Sequence, residues 1–208
     1  VNRPHLGRVD LEFFYDFSSP FGYLASTAVE EVASRHQAKV RWRPLLLGAL
    51  FRNIGTPLVP IATMPPAKQQ YIMKDMARWA EYRGVELRFP TGFPLRTVKP
   101  LRLVLAAGEE AAPMLTHRLM RACWVEDLNP DDEAVLARCV AEVGGDSSWL
   151  AKISEPEIKE ALRTNTEEAA SRGVPGVPTF FVGDQMFWGQ DRLDFVDKAL
   201  GGWVPEVQ

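Results

Sequence analysis

Apolar and polar positions change period several times along this chain, and each change marks an element. Residues 9–17 carry a near-continuous apolar run through Leu11, Phe13, Phe14 and Tyr15, with the length and composition of a strand. The run breaks at Asp16-Phe17-Ser18-Ser19-Pro20 and restarts with helical spacing over 20–35, where Leu24, Ala28 and Val32 share one face. Residues 38–44 alternate, Val40 and Trp42 against Lys39, Arg41 and Arg43, which predicts a second strand and completes a β-α-β start. Residues 48–66 are rich in Gly and Pro and read as a loop over the site, because structureless stretches of that length are usually functional.

A helical block follows. Residues 66–83 carry Tyr71, Met76, Trp79 and Tyr82 and stop at Gly84, a left-handed helix end. Residues 87–95 read as a loop, and 98–107 and 111–126 as helices on either side of Gly108. Asn129-Pro130 reads as a cap and first turn ahead of a helix over 134–143, and 147–153 as a short helix. Ser154-Glu155-Pro156-Glu157 has capping-box spacing before a helix that ends near Arg172-Gly173. Residues 179–182 and 186–188, flanking Gly183-Asp184-Gln185, predict a hairpin, and 192–200 a final helix.

Two segments carry candidate chemistry. The strand that ends at Asp16 feeds a helix start at Pro20, a natural place for an anion: the first helical N–H groups lack internal partners, and the dipole is positive there. The hydroxyls of Ser18 and Ser19 sit in that field, Ser19 also as an ordinary helix cap. In the second segment, Gly176-Val177-Pro178 leads directly into an aromatic strand. A proline with no N–H at a strand entrance predicts a cis Val177–Pro178 bond or an open edge.

Composition narrows the field. A chain of 208 residues fits one domain, or one domain with an insertion, and 46% apolar content supports a real core. The net charge of −3 gives no reason to expect nucleic acid or an anionic membrane as partner. No apolar run approaches the ~20 residues needed to span a bilayer. No charged-then-apolar leader is read ahead of Val9, which points away from secretion. Cys123 and Cys139 are too few for a disulfide framework and lie in apolar helical patterns, as buried core residues do. That usage fits a cytoplasmic, reducing location. His5, His36 and His117 form no ligand spacing, so no metal is expected.

The two segments together resemble the DsbA-like branch of the thioredoxin superfamily. In that branch the first strand leads to a CxxC helix start, and a Val-cis-Pro faces it. Here the frame reads Ser19-Pro20-Phe21-Gly22, so dithiol–disulfide exchange is excluded at this place. What remains resembles the glutathione-dependent relatives, the kappa-class glutathione transferases and 2-hydroxychromene-2-carboxylate isomerases. Their hallmark F-D-x-x-S-P-[FY]-[SG]-[YW]-L is matched over 14–24, with Tyr15 intervening between Phe14 and Asp16. A second hallmark, G-V-P-T-[FM]-F-[VL]-G-x-x-x-[FW]-W-G-x-D-R-L, is matched over 176–193. The expected fold is therefore α/β, a thioredoxin-like domain over 1–49 and 169–208, interrupted by a mostly helical insertion over 50–168.

The resemblance implies a function and a site. It implies glutathione as cofactor and an aromatic carboxylate as substrate. The reaction is cis–trans isomerisation of a hydroxychromene carboxylate through reversible thiolate addition. Two alternatives stand beside it, a kappa-like transferase or peroxidase and a non-catalytic glutathione-binding protein. Ser19 is implied to hydrogen-bond the glutathione sulfur and is the candidate catalytic residue. Val177 and Pro178 are implied to offer backbone groups to the cysteinyl part. Gln190 and Asp191 are implied to hold the γ-glutamyl end. Kappa-class enzymes carry Gly-Asn-Lys-Pro-Pro after the second strand, and its asparagine touches glutathione. Here the region reads Asn53-Ile54-Gly55-Thr56-Pro57, so the asparagine has either moved to Asn53 or been replaced by Thr56, and either residue is a candidate. Ser18, Arg96 and Trp188 are candidates on the substrate side. Asp16 has no catalytic assignment, because a carboxylate beside a thiolate opposes activation. Relatives of this kind are usually dimers, so a homodimer is expected.

Overall fold

The computed structural model describes residues 10–206; Val9 of the expected first strand and His5 lie outside the described residues. Its centre is a four-stranded sheet in the order β2-β1-β3-β4, with β1 Asp10–Tyr15, β2 Lys39–Pro44, β3 Thr179–Val182 and β4 Gln185–Trp188. β1 runs parallel to β2 and antiparallel to β3, and β3 and β4 form the expected hairpin. Phe13 lies opposite Phe180, so the two ends of the chain meet in one sheet.

The period of two in β1 divides the core. Leu11, Phe13 and Tyr15 face one side, in a cluster with Trp42, Leu101, Leu115, Leu119, Trp124 and Phe180. Phe14 faces the other side with Leu45, Leu50, Ala169, Val177 and Phe181. On that second face Arg43 and Arg172 both bond Glu12, at 2.7 and 2.8 Å, and both bond Glu168. The Arg172 guanidinium lies 3.6 Å from the centroid of the Phe181 ring, and that of Arg43 5.0 Å from Phe14. Arg43 is thus sheet-bound rather than solvent-facing, because carboxylates and a ring are there to receive it.

The helices mostly follow the periodicity. They are α1 Pro20–Ser26, α2 Val29–Ser34, α3 Leu47–Ile54, α4 Pro66–Arg83, α5 Val98–Ala107, α6 Ala112–Trp124, α7 Glu133–Glu142, α8 Ser148–Lys152, α9 Pro156–Ser171 and α10 Leu193–Leu200. Short 3-10 turns occupy Pro60–Thr63 and Gln190–Arg192. α5, α6, α7 and Leu162 of α9 share the first core cluster with the sheet, while Leu50 of α3 lies in the second. Among the described residues no helix is long and apolar enough to cross a membrane. Cys123 and Cys139 are free and buried, and burial pushes both thiols up in pKa.

Four local expectations are corrected. The helix expected over 20–35 is two, because Ser26 and Thr27 turn their hydroxyls onto the carbonyls of Tyr23 and Leu24 at 2.7 and 2.8 Å. The expected loop over 48–66 contains α3, whose N-terminal N–H groups are satisfied from far away: Leu47 by Asp16 at 2.8 Å and Leu46 by Thr166 at 3.0 Å. The capping box at 154–157 does not form; Glu155 is the N-cap and makes no side-chain cap bond. The helix expected over 134–143 is present, but its cap is Asp132, which accepts Ala134 N–H at 2.8 Å, and not Asn129, which closes a local turn on Asp131 N–H.

Candidate active site

The site begins where β1 ends. Asp16 to Ser19 makes a turn closed by Ser19 N–H on the Asp16 carbonyl at 3.1 Å. Ser19 is the N-cap of α1, with extended backbone, and Pro20 occupies the first helical position, where a missing N–H costs nothing. The Ser19 oxygen accepts Gly22 N–H at 3.1 Å and donates its hydrogen to the Val177 carbonyl at 3.3 Å. The first bond is the cap; the second is long and joins two segments 158 positions apart. Gly22 packs closely under the turn: a Cβ there would stand 3.3 Å from Ser19 Cβ and 3.2 Å from the Asp16 carbonyl oxygen, so a side chain would press on both. Ser19 is only 6% exposed, so its hydroxyl works in a largely dehydrated place.

The facing loop is ordered by the sheet. The Val177–Pro178 peptide is cis, as expected. The Pro178 carbonyl accepts Gly189 N–H at 3.0 Å, and Thr179 Oγ1 donates to the Gly176 carbonyl at 2.7 Å. Among the described residues the Val177 N–H makes no hydrogen bond, which leaves a backbone donor free beside Ser19. Trp188 stands on edge strand β4 opposite Thr179, and its indole nitrogen is 3.2 Å from where a Cβ on Gly176 would sit. It is more than half exposed and forms a wall to the loop rather than part of the core.

Gln190 and Asp191 follow Gly189, so the bond to Pro178 ties both to the loop. Gln190 is buried, and Arg83 donates to its carbonyl at 2.9 Å and to its Oε1 at 2.8 Å, while also reaching the Leu24 carbonyl. Asp191 pairs with exposed Arg192 at 2.8 Å and folds back over Gly189. Gly189 has a φ of +117°, and a Cβ there would lie 2.5 Å from Asp191 Oδ1, so glycine is what admits that fold. Asp191 lies in the 3-10 turn, and α10 is capped at Arg192, so Asp191 is not its N-cap.

The remaining expected residues spread outward. Ser18 N–H donates to Asp16 Oδ1 at 2.9 Å. Arg96 is exposed and precedes buried Thr97, whose hydroxyl lowers the pKa of the Asp16 carboxyl as a hydrogen-bond donor. Among the described residues Arg96 forms no ion pair. Thr56 follows α3 and donates its N–H to Phe51 at 2.9 Å. α3 starts on Asp16 and is roughly 12 Å long from its eight residues, so Thr56 stands beyond the end of that helix away from the Ser19 turn. Among the described residues no group of three or more His, Cys, Asp or Glu is placed to hold a metal ion. His36 and His117 are instead bonded to Asp197 and Glu30.

Three contributors had no sequence signal: Trp124, whose Nε1–H donates to the Phe17 carbonyl at 2.9 Å, Thr97, and Arg83. Asp16 was visible but not its task. Burial pushes its carboxyl above the usual carboxylate range, against the pull of the Leu47 and Ser18 N–H donors and the Thr97 and Ser18 hydroxyls. A carboxyl with a raised native pKa binds its proton more tightly folded than unfolded. The native state therefore gains stability as pH falls through that raised value toward the ordinary range, and loses it on the way back up. Denaturant unfolding at neutral and mildly acidic pH should show the wild type gaining on Asp16→Asn upon acidification. A difference that moves the other way would show that the donors outweigh burial.

A thioredoxin-type sheet with a serine at the helix start and a cis proline facing it defines a DsbA-like protein without the redox dithiol. Residues 10–201 match the DSBA-like thioredoxin domain family. A 2-hydroxychromene-2-carboxylate isomerase of Pseudomonas putida is 31% identical, the alignment covering 92% of this chain and 94% of that protein. Glutathione S-transferase kappa 1 of Rattus norvegicus is 29% identical, covering 95% of this chain and 93% of the relative. A solved structure of 2-hydroxychromene-2-carboxylate isomerase superposes with a TM-score of 0.81 at 30% identity, covering 92% and 94% of the two chains. The chain belongs to the 2-hydroxychromene-2-carboxylate isomerase and kappa-class glutathione transferase family, within that DsbA-like branch.

Proposed function

We propose that this protein is a glutathione-dependent cis–trans isomerase of a 2-hydroxychromene-2-carboxylate-type aromatic acid. The observation that carries the reading is the Ser19 hydroxyl, held at a helix N-terminus and aimed at the Val177 carbonyl, in a frame with no cysteine. The free Val177 N–H and the carboxylate folded over Gly189 fit a tripeptide. When bound, glutathione supplies a thiolate whose reversible addition turns a conjugated double bond into a single bond free to rotate.

The chain's own residues then have separate tasks. Ser19 releases its long bond to Val177 and donates to sulfur, while the Gly22 N–H it accepts keeps the oxygen in place. Val177 and Pro178 present backbone groups as a strand edge presents them. Asp191 accepts from an α-ammonium and Gln190 assists, with Arg83 fixing the Gln190 side chain. Thr56 meets the far end, since an extended tripeptide reaches about 10 Å. On the substrate side Arg96 pairs with a carboxylate, Trp188 walls the aromatic ring, and Ser18 lies beside the reacting groups. The unit of 1–49 and 169–208 thus holds the thiol, and that of 50–168 supplies the cation. A reducing cytoplasm supplies glutathione, and a homodimer is the proposed assembly, checked by light scattering.

The deciding experiment follows both substrate and free glutathione. Catalytic glutathione should convert a molar excess of the hydroxychromene carboxylate without being consumed. Stoichiometric conjugation would instead support a kappa-like transferase, which the similarity to the rat kappa 1 enzyme keeps open. Binding with no turnover on any electrophile would leave a glutathione-binding protein. Gly189→Ala should destabilise the fold by ~1–3 kcal/mol and weaken glutathione binding, because its Cβ displaces Asp191. Calorimetry showing unchanged affinity would remove Asp191 from the site.

A further inference from the structure

The Phe17–Ser18 peptide is the central unit of the turn that presents Ser19. In a turn of this kind that unit is the one that rotates between turn types, since its C=O and N–H point away from the closing bond. Here side chains hold both of its ends. Trp124, at the end of α6, donates Nε1–H to the Phe17 carbonyl at 2.9 Å. Asp16 Oδ1 accepts the Ser18 N–H at 2.9 Å, and Oδ2 of the same carboxylate accepts Leu47 N–H at the start of α3. Trp124 and Phe17 are both 0% exposed, so a bond lost there leaves a buried polar group without a partner. Trp124 is itself seated: its carbonyl accepts Arg88 N–H at 2.6 Å, and Phe89 packs edge-on against its ring at 5.8 Å.

We propose that Trp124 is a positioning residue: with Asp16 it clamps the Phe17–Ser18 peptide plane and thereby fixes where the Ser19 hydroxyl points. Its consequence for sulfur rests on the proposed function of Ser19; the clamp itself does not. A rotated central peptide would withdraw Ser18 N–H from Asp16 and shift Ser19, and with it the Gly22 N–H that Ser19 accepts.

The test uses the full chain with Trp124→Phe and, as a shape-preserving second variant, benzothienylalanine at the same position, which lacks the N–H donor. Amide hydrogen exchange by NMR in the ligand-free protein reads the clamp. Ser18 and Gly22 should exchange roughly tenfold faster, with Leu11 and Phe180 in the sheet nearly unchanged. Unchanged exchange at Ser18, or equal acceleration throughout the sheet in both variants, overturns the proposal. The second measurement titrates the thiol of bound glutathione by its ultraviolet thiolate absorbance. Trp124→Phe should move that titration to higher pH, and should add nothing in a Ser19→Ala background. An equal shift in both backgrounds overturns action through Ser19. If Ser19→Ala leaves the titration unmoved while exchange at Ser18 and Gly22 still depends on Trp124, the clamp stands and the reading of Ser19 as the sulfur's partner fails.

Discussion

Ser19→Ala should lower turnover by roughly ten- to 150-fold, the effect of losing the proposed hydrogen bond to a charged sulfur, ~1.5–3 kcal/mol. A free thiol titrates near ~8.5, so little of it is thiolate at neutral pH. Lowering that pKa by ~2 units needs about 2.7 kcal/mol, which a hydroxyl donor and a helix N-terminus together supply. The gain in thiolate is limited, and lower basicity returns part of it as lower nucleophilicity. Holding sulfur and carbon in attack geometry must supply the rest. The loss should therefore fall mainly on turnover, with glutathione affinity reduced less, and the onset of activity should move to higher pH. The variant also loses the α1 cap, about 1 kcal/mol of stability, so activity must be measured well below the unfolding transition. Full activity with an unchanged pH profile would reduce Ser19 to a cap. Ser19→Cys is the companion: it places a thiol at the helix start and should form a mixed disulfide with oxidised glutathione, visible by mass spectrometry.

The largest stability loss is expected from Phe13→Ala, ~3–5 kcal/mol. Phe13 is fully buried at the middle of the central strand. Its ring stacks on Tyr15 and on Phe180, each at 5.2 Å between centroids, and meets Trp42 edge-on at 5.1 Å. Truncation removes contacts to all three at once and opens a cavity between β1, β2 and β3. Their backbones, tied by ladder bonds on both sides, cannot close it. A domain of this size holds only ~5–15 kcal/mol in total, so the variant should be marginal. Denaturant unfolding against Tyr82→Ala, an aromatic left 82% exposed, provides the scale, since that change should stay within ~0.5 kcal/mol. Similar losses at both positions would mean that the aromatic layer does not carry the fold.

Much of the fold was legible locally. α5 Val98–Ala107 lies where the period of three to four placed it, and the hairpin of β3 and β4 follows its turn residues. Ser19 and Val177 were each legible locally, as a helix start and a Val-Pro strand entrance, and it was the resemblance to the DsbA-like branch that paired them. α3 was not legible. Its N-terminal N–H groups are satisfied by Asp16 and Thr166, remote in sequence, so no cap residue announces it and its Gly and Pro neighbours suggest a loop.

The sequence by itself thus determined the elements whose stabilising partners lie within a few residues: the strands, most helices, the serine turn and the proline loop that faces it. Tertiary structure alone decided the groups that meet across long separations. Trp124 reads as one more core aromatic until the fold places its N–H on Phe17, and Arg43 as a solvent-facing charge until Glu12, Glu168 and the Phe14 ring surround it. The physical reason is common to both. A hydrogen bond or ion pair between distant residues depends on where two backbones cross, and periodicity records only which face each residue takes.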